Sequence, residues 1–338
     1  MKTVAELEAK LAEPSPQCIT DLAAIDGDII VLGVGGKMGP SLARLASQAI
    51  QQSGKRKRVI GVSRFSSVEA RRDLEEAGVE TIVCDLLNDA ELQQLPEAPN
   101  VIYMAGNKFG TTGNEHFTWA MNSYLPGRVA EKYRNSKIVV FSSGNVYPLT
   151  PVALGGVTES VPPGPIGEYA QSCLGRERIF EYHAHKYGTK MAIFRLNYAI
   201  DLRYGVLLEI ARSVFEGKEI DLTMGHANVI WQGDANEMAL RCLNVCSYPP
   251  NVVNVTGPET MSVRWAASEF AKRLGKEAKF KGSEAETALL SNASKSHQLF
   301  GYPRVSLLQM IDWTADWVQS GGETLNKPTH FQQREGKF

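Results

Sequence analysis

The residues best suited to hold a ligand begin at Gly33-Val34-Gly35-Gly36-Lys37-Met38-Gly39. Glycines 33, 36 and 39 spell G-x-x-G-x-x-G, directly after an apolar run and before a helix-forming stretch. Missing β-carbons let the backbone approach a pyrophosphate, and the helix N-terminus offers free N–H groups and a partial positive charge. The expected contacts are Gly33, Gly35, Gly36, Lys37, Met38 and Gly39. The next apolar run ends Gly61-Val62-Ser63-Arg64-Phe65-Ser66-Ser67. An NAD site places an acidic residue near this point to accept from the ribose 2′-hydroxyl. This stretch has none. Arg64, beside the Ser63 hydroxyl, suits a 2′-phosphate instead. NADP is therefore the preferred cofactor and NAD the alternative. Asp85, followed by Leu86 after the third run, is placed either to meet an adenine amino group or to cap a helix.

These segments need a scaffold that sets them side by side. Apolar runs recur at 29–32, 58–62, 81–83, 101–104, 137–141 and 191–194. They are rich in Val and Ile and lack strict polar alternation, as in parallel strands covered on both faces. Segments 40–52, 68–77, 116–134 and 169–187 read as crossover helices between them. The predicted fold is α/β, a doubly wound, Rossmann-type parallel sheet. Residues 1–26 are expected to form a helical extension, with a helix over 1–13 ended by Pro14 and Pro16. Residues 27–200 form the nucleotide-binding domain, to which about 224–256 return, with extended runs at 228–231 and 252–255. Segments 201–223 and 257–321 make a smaller, interleaved C-terminal substrate lobe. Helices are expected at 204–216, 233–247, 262–274 and 305–319. Residues 322–338 read as a polar, poorly ordered tail.

Composition narrows the function. Of 338 residues, 43% are hydrophobic and 22% charged, as in an ordinary globular protein. Lys and Arg number 36 against 37 Asp and Glu, which argues against a nucleic-acid-binding footprint. No apolar run approaches the ~20 residues of a membrane helix. The N-terminus lacks the basic start and apolar core of a signal peptide, so a cytoplasmic protein is expected. Five cysteines, an odd number, fit reduced thiols. Cys242 and Cys246 lie one helical turn apart, but no Cys or His pair follows at finger-like spacing, so no metal is expected.

Further on come Val140-Phe141-Ser142-Ser143-Gly144-Asn145-Val146-Tyr147 and Gly167-Glu168-Tyr169-Ala170-Gln171-Ser172-Cys173. Together with the glycine loop, they make the chain resemble the extended short-chain dehydrogenase/reductase family, the NAD-dependent epimerase/dehydratases. The resemblance extends over nearly the whole chain. It includes Asn122 in Ala120-Met121-Asn122-Ser123, the junction Ile230-Trp231-Gln232-Gly233-Asp234, and Asn254-Val255-Thr256-Gly257. It also includes Ser294-Lys295 with Leu299-Phe300-Gly301-Tyr302-Pro303.

The resemblance implies catalytic roles. Ser143 would hydrogen-bond the reacting oxygen, and Tyr169 would exchange a proton with it while hydride moves to or from the nicotinamide. Asn122 would be the family's helix asparagine. Tyr169, Ala105 and Gly106 would also border the cofactor. The family completes this set with a lysine four residues after the tyrosine, where this chain has Cys173. A free tyrosine titrates near ~10, so losing that cation leaves about three units, or roughly 4 kcal/mol, to make up at neutral pH. Lys108, following the fourth strand, is a candidate replacement cation or a substrate-carboxylate ligand. Arg176, two turns past Tyr169, reads as the ion-pair partner of a neighbouring acid. Glu115 and His116 read as surface helix residues. Asn145, Asn197, Arg203 and His226 are candidate substrate contacts.

The expected function is that of an NAD(P)-dependent oxidoreductase, epimerase or dehydratase acting on a sugar, sugar acid or nucleotide-sugar. The alternative is a catalytically silent NADP-binding sensor or interaction protein. The resemblance also implies a homodimer through paired helices that include the one bearing Tyr169.

Overall fold

The computed structural model describes residues 1–108 and 113–336. The apolar runs form strands β1 Ile29–Leu32, β2 Val59–Ser63, β3 Glu80–Val83, β4 Asn100–Tyr103, β5 Lys137–Ser143 and β6 Met191–Leu196. A short pair, β7 Ala199–Ile200 and β8 Ile230–Trp231, follows, and then β9 Asn251–Val255. Seven of these make one parallel sheet in the order β9-β6-β5-β4-β1-β2-β3. The order reverses between β1 and β4, and a crevice opens there at the carboxyl ends of the strands.

The alternation of a buried strand explains the two layers. In β1, Ile29 and Val31 enter the core on one face, while Ile30 and Leu32 enter the core on the other. The first core packs under the extension helix α2 Pro16–Ala24 and the crossover helix α3 Gly39–Gln52. The second contains Leu125, Val129 and Phe180, which come from the helices that follow β4 and β5. A third core builds the smaller lobe and takes in Leu7 and Leu11 from α1 Val4–Leu11.

The extension is two helices, not the single one expected over 1–13. Pro14 follows α1, but Pro16 opens α2, where its missing N–H costs no bond. Ser15 caps that helix by accepting from Cys18 N at 3.0 Å. The crossover after β2 is α4 Val68–Glu76, and a short α5 Asp89–Gln94 precedes β4. The expected helix over 116–134 is α6 Glu115–Trp119 and α7 Leu125–Lys132, joined by a π-turn at Ala120–Tyr124. The long helix is α8 Gly167–Tyr187. The remaining helices are α9 Val206–Glu216, α10 Gln232–Arg241, α11 Val263–Leu274, α12 Ser294–Phe300 and α13 Leu307–Gln319. Helices α9, α11 and α13 build the smaller lobe, while α10 and α12 pack against the sheet domain. The extended run expected at 228–231 is reduced to Ile230–Trp231, with a separate bridge at His226–Ala227.

The polar tail is folded onto the protein. Phe331 is 1% exposed in the third core, and Thr329 is 2% exposed. One deeply set aromatic anchors a segment whose average composition is hydrophilic. Among the described residues, no helix is long and apolar enough to cross a membrane.

Candidate active site

The glycine loop sits at the top of β1, beside the sheet reversal. Gly33 has φ +91, and a β-carbon there would stand 2.6 Å from Ala105 N. Only glycine fits a left-handed turn so close to the neighbouring backbone. No side chain caps the start of α3, where Met38 holds the N-cap position. Its first N–H groups are thereby left for an anion, so the loop fits a dinucleotide diphosphate. Gly33, Gly36, Lys37 and Met38 line a cavity of about 260 Å³ that reaches Met104, Ser142, Ser143 and Leu196 above β4, β5 and β6.

Ser143 ends β5, and Tyr169 lies in the first turn of α8. Both face this cavity. Tyr169 is hydrogen-bonded to Ser143 and to Cys173, one turn further along the helix. Ser143 Oγ also accepts from Asn145 N at 3.1 Å. Burial pushes the Tyr169 hydroxyl well above its ordinary range, Cys173 adds to that, and the Arg176 guanidinium opposes it. Cys173 is fully buried, and burial raises its thiol too. That environment makes an inert thiol, not an activated one.

Arg176 does not pair with an acid, as the sequence suggested it would. Its Nη1 donates to Phe141 O and its Nη2 to Asn122 Oδ1, both at 2.7 Å. The acid beside it, Glu177, is taken by Arg195 at 2.6 and 2.9 Å and by Ser142 Oγ at 2.5 Å. Arg195 in turn donates to Tyr147 Oη at 2.7 Å. Sequence adjacency suggested a pairing that the helix geometry gives to a strand residue. The Arg176 guanidinium lines the cavity and its Nε has no partner. Gly106 makes room for it, since a β-carbon there would lie 2.3 Å from Nη2.

Asn122 sits on the π-turn, an irregularity that often marks functional helices. Its amide donates to Asn107 O at 2.8 Å and Ser172 Oγ at 3.0 Å, and its oxygen accepts from Asn107 N at 2.8 Å. It thus ties the loop after β4 to α8. Lys108 lines the cavity, and burial lowers its proton affinity. Lys37 leaves the glycine loop to donate to Ala199 O at 3.2 Å, with its ammonium 3.7 Å over the Tyr204 ring. Burial pushes the Lys37 amine down to about 7.

The other expected residues divide. Asn145 and Asn197 line the cavity. Arg203 does not: it is held by Asp201 Oδ2 at 2.8 Å and Glu8 Oε1 at 2.6 Å. His226 lies outside the cavity wall, with its Nδ1 buried and unpartnered. Arg64 is exposed just past β2, beside Ser63. Asp85 Oδ1 accepts from Leu87 N at 3.0 Å, so it shapes the turn before α5, and Leu86 is buried. Ala105 packs under Gly33, while Gly106 borders the cavity. His116 is exposed, and Glu115 accepts from Gly113 N at 2.8 Å. Lys295 Nζ donates to Val252 O at 2.6 Å, and Asp234 accepts from Val305 N at 3.0 Å, so both serve the fold. Among the described residues, no cluster is fit to hold a metal.

Tyr204 and Thr329 also line the cavity, and sequence reading missed both. Arg176 carried a legible signal: it lies two helical turns from Tyr169, on the same face.

A sequence profile described as the NAD dependent epimerase/dehydratase family matches residues 29–203. The chain belongs to this family. No curated protein matches it. Solved structures of the epimerase fold superpose over most of its length. The UDP-glucose 4-epimerase of Thermus thermophilus, in complex with NAD, is 18% identical, with a TM-score of 0.70 over 87% of this chain and 99% of that one. The UDP-Glc/GlcNAc 4-epimerase of Campylobacter jejuni is 21% identical, with a TM-score of 0.70 over 88% and 99%. The UDP-glucuronic acid 4-epimerase of Bacillus cereus, in complex with UDP-glucuronic acid and NAD, is 19% identical, with a TM-score of 0.68 over 86% and 99%. At these identities the likeness establishes the fold of an epimerase-family chain.

Proposed function

We propose that this chain is an NAD(P)-dependent oxidoreductase or epimerase acting on a sugar-derived alcohol or ketone. The observation that carries the reading is the hydrogen bond between Tyr169 and Ser143 on the wall of the cavity into which the glycine loop opens. Bound NAD(P) supplies hydride transfer. Gly33, Gly36 and Met38 would hold its diphosphate against the start of α3. Ser143 holds the reacting oxygen, and Tyr169 gives a proton to it or takes one from it. Arg176 lowers the proton affinity of Tyr169 from the next turn beyond Cys173. Its guanidinium is the nearby cation in a chain whose Tyr-x-x-x position holds cysteine. Asn122 keeps that guanidinium in place.

NADP is the proposed preference, because an exposed Arg64 and Ser63 end β2 and no carboxylate stands in 61–67. A homodimer is proposed through α7, the π-turn before it and α8, where Tyr124 of the π-turn and Tyr182 of α8 are 54% and 58% exposed.

The test follows the nicotinamide absorbance of purified protein with NADP(H) or NAD(H) against pooled sugars, sugar acids and nucleotide-sugars. One pool is expected to change the spectrum, and Tyr169→Phe to slow that change by about 10²–10⁴-fold. Cys173, buried against Tyr169, favours a second reading: a cofactor-binding sensor. Tight cofactor binding with no turnover in any pool would select it.

A further inference from the structure

We propose that the substrate is a small free sugar acid, not a nucleotide-sugar, with its carboxylate held between Lys108 and Lys37. The proposal rests on the oxidoreductase reading above and narrows it. Two independent observations support it.

The first is charge. Lys37, Lys108 and Arg176 line the cavity, while no Asp or Glu does among the described residues. A wall of cations with no carboxylate sets up a positive potential that draws an anionic ligand. The cofactor diphosphate belongs over the glycine loop and α3, but Lys37 turns away from that loop toward Ala199 and Tyr204 on the substrate side. Lys108 lies near enough to Cys173, the neighbour of Tyr169, for each to bias the other's proton. Both amines line the same cavity as Ser143 and Tyr169, so an anion held there has two cations to draw on.

The second is enclosure. The C-terminal tail crosses from α9 to α8 along the substrate side. Leu325 N donates to Arg203 O at 3.0 Å, and Thr329 N donates to Glu209 on α9. Phe331 is buried in the small-lobe core. Arg334 Nη1 donates to Thr287 O at 2.7 Å, and Gly336 packs on Ile166 and Gly167 where α8 begins. Thr329 forms cavity wall, and Arg334 lines an adjoining recess that shares Asn145 and Tyr198 with the cavity. Pockets that take drug-sized ligands run to about 300–1,000 Å³. The 260 Å³ here must also admit a nicotinamide. A cavity below that range, walled on one side by Thr329 of the tail, favours a compact ligand over a nucleotide-sugar.

The experiment is calorimetric titration of the full chain, saturated with NADP or NAD, using D-gluconate, D-galactonate and D-glucuronate. D-glucose, UDP-glucose and UDP-glucuronate are the comparisons. An acid is expected to bind, and glucose and both nucleotide-sugars are not. Lys108→Met and Lys37→Met are expected to weaken acid binding about tenfold to a hundredfold while cofactor still binds. Binding of either nucleotide-sugar would overturn the proposal. So would a cofactor-loaded protein that binds no acid, or acid affinity unchanged in both variants. Failure to bind NADP and NAD would instead overturn the function proposed above.

Discussion

Arg176 donates to Asn122 Oδ1 over 2.7 Å from within the cavity wall. The same oxygen keeps Asn107 N at 2.8 Å, so removing the guanidinium leaves Asn122 partnered. Arg176→Met also removes the Nη1 bond to Phe141 O, so its charge effect is read from the pH profile and its structural effect from stability. The cation opposes the burial that raises the Tyr169 hydroxyl. Without it, the alkaline rise of alcohol oxidation should move to higher pH, and neutral-pH turnover should fall about tenfold to a hundredfold. Arg176→Lys should recover part of both. A variant that melts earlier but keeps the wild-type pH profile would make Arg176 a structural residue only.

Glu177 and Arg195 form a buried ion pair in the sheet domain, with side chains 0% and 4% exposed. Their two contacts bind α8 to β6 directly behind Ser142 and Ser143. Glu177→Gln strips a buried guanidinium of its counter-charge, which costs about 3–5 kcal/mol. Urea unfolding should show that loss. The double variant Glu177→Gln with Arg195→Met should recover part of it, because no unpaired charge remains. Equal losses in the single and double variants would argue against a coupled pair.

The parts of this site that follow local rules were legible in sequence. The glycine loop, Ser143 at a strand end and Tyr169 at a helix start each carry a pattern within a few residues. Asn122 was found by resemblance, but its π-turn was not, since the periodicity of 116–134 reads as one helix. Arg176 was misassigned because sequence shows that Glu177 is adjacent and not that Arg195 reaches it from β6. The tail was misread for a related reason. Its polar average hides Phe331 and Thr329, whose burial depends on a lobe assembled from α1, α9, α11 and α13. Contacts over long sequence separation decide these cases, and composition does not encode them.

Coenzyme choice turns on Arg64. It is exposed past β2 beside Ser63, and no carboxylate stands within 61–67. A charge-assisted contact to a 2′-phosphate contributes about 1.5–3 kcal/mol. Arg64→Ala should therefore weaken NADP binding about tenfold to a hundredfold and leave NAD binding nearly unchanged, as read by fluorescence titration of both reduced cofactors. Equal effects on the two would remove Arg64 from the 2′ position.

Lys37 gives the unliganded protein a pH signature. Burial pushes its amine down to about 7 from an ordinary value of 10.5. Asp201 opposes that shift, while Lys108, Arg203 and Lys327 reinforce it. Between those two values the unfolded chain holds the proton and the folded chain does not. Stability should therefore rise with pH from about 7 toward 10.5, and this contribution should be flat below about 7, where both states are protonated. Lys37→Met removes the titrating amine and should flatten the rise. Urea unfolding of the cofactor-free protein at pH 7 and pH 9 would measure it in both forms. A wild-type slope that survives in the variant would assign the titration to another group.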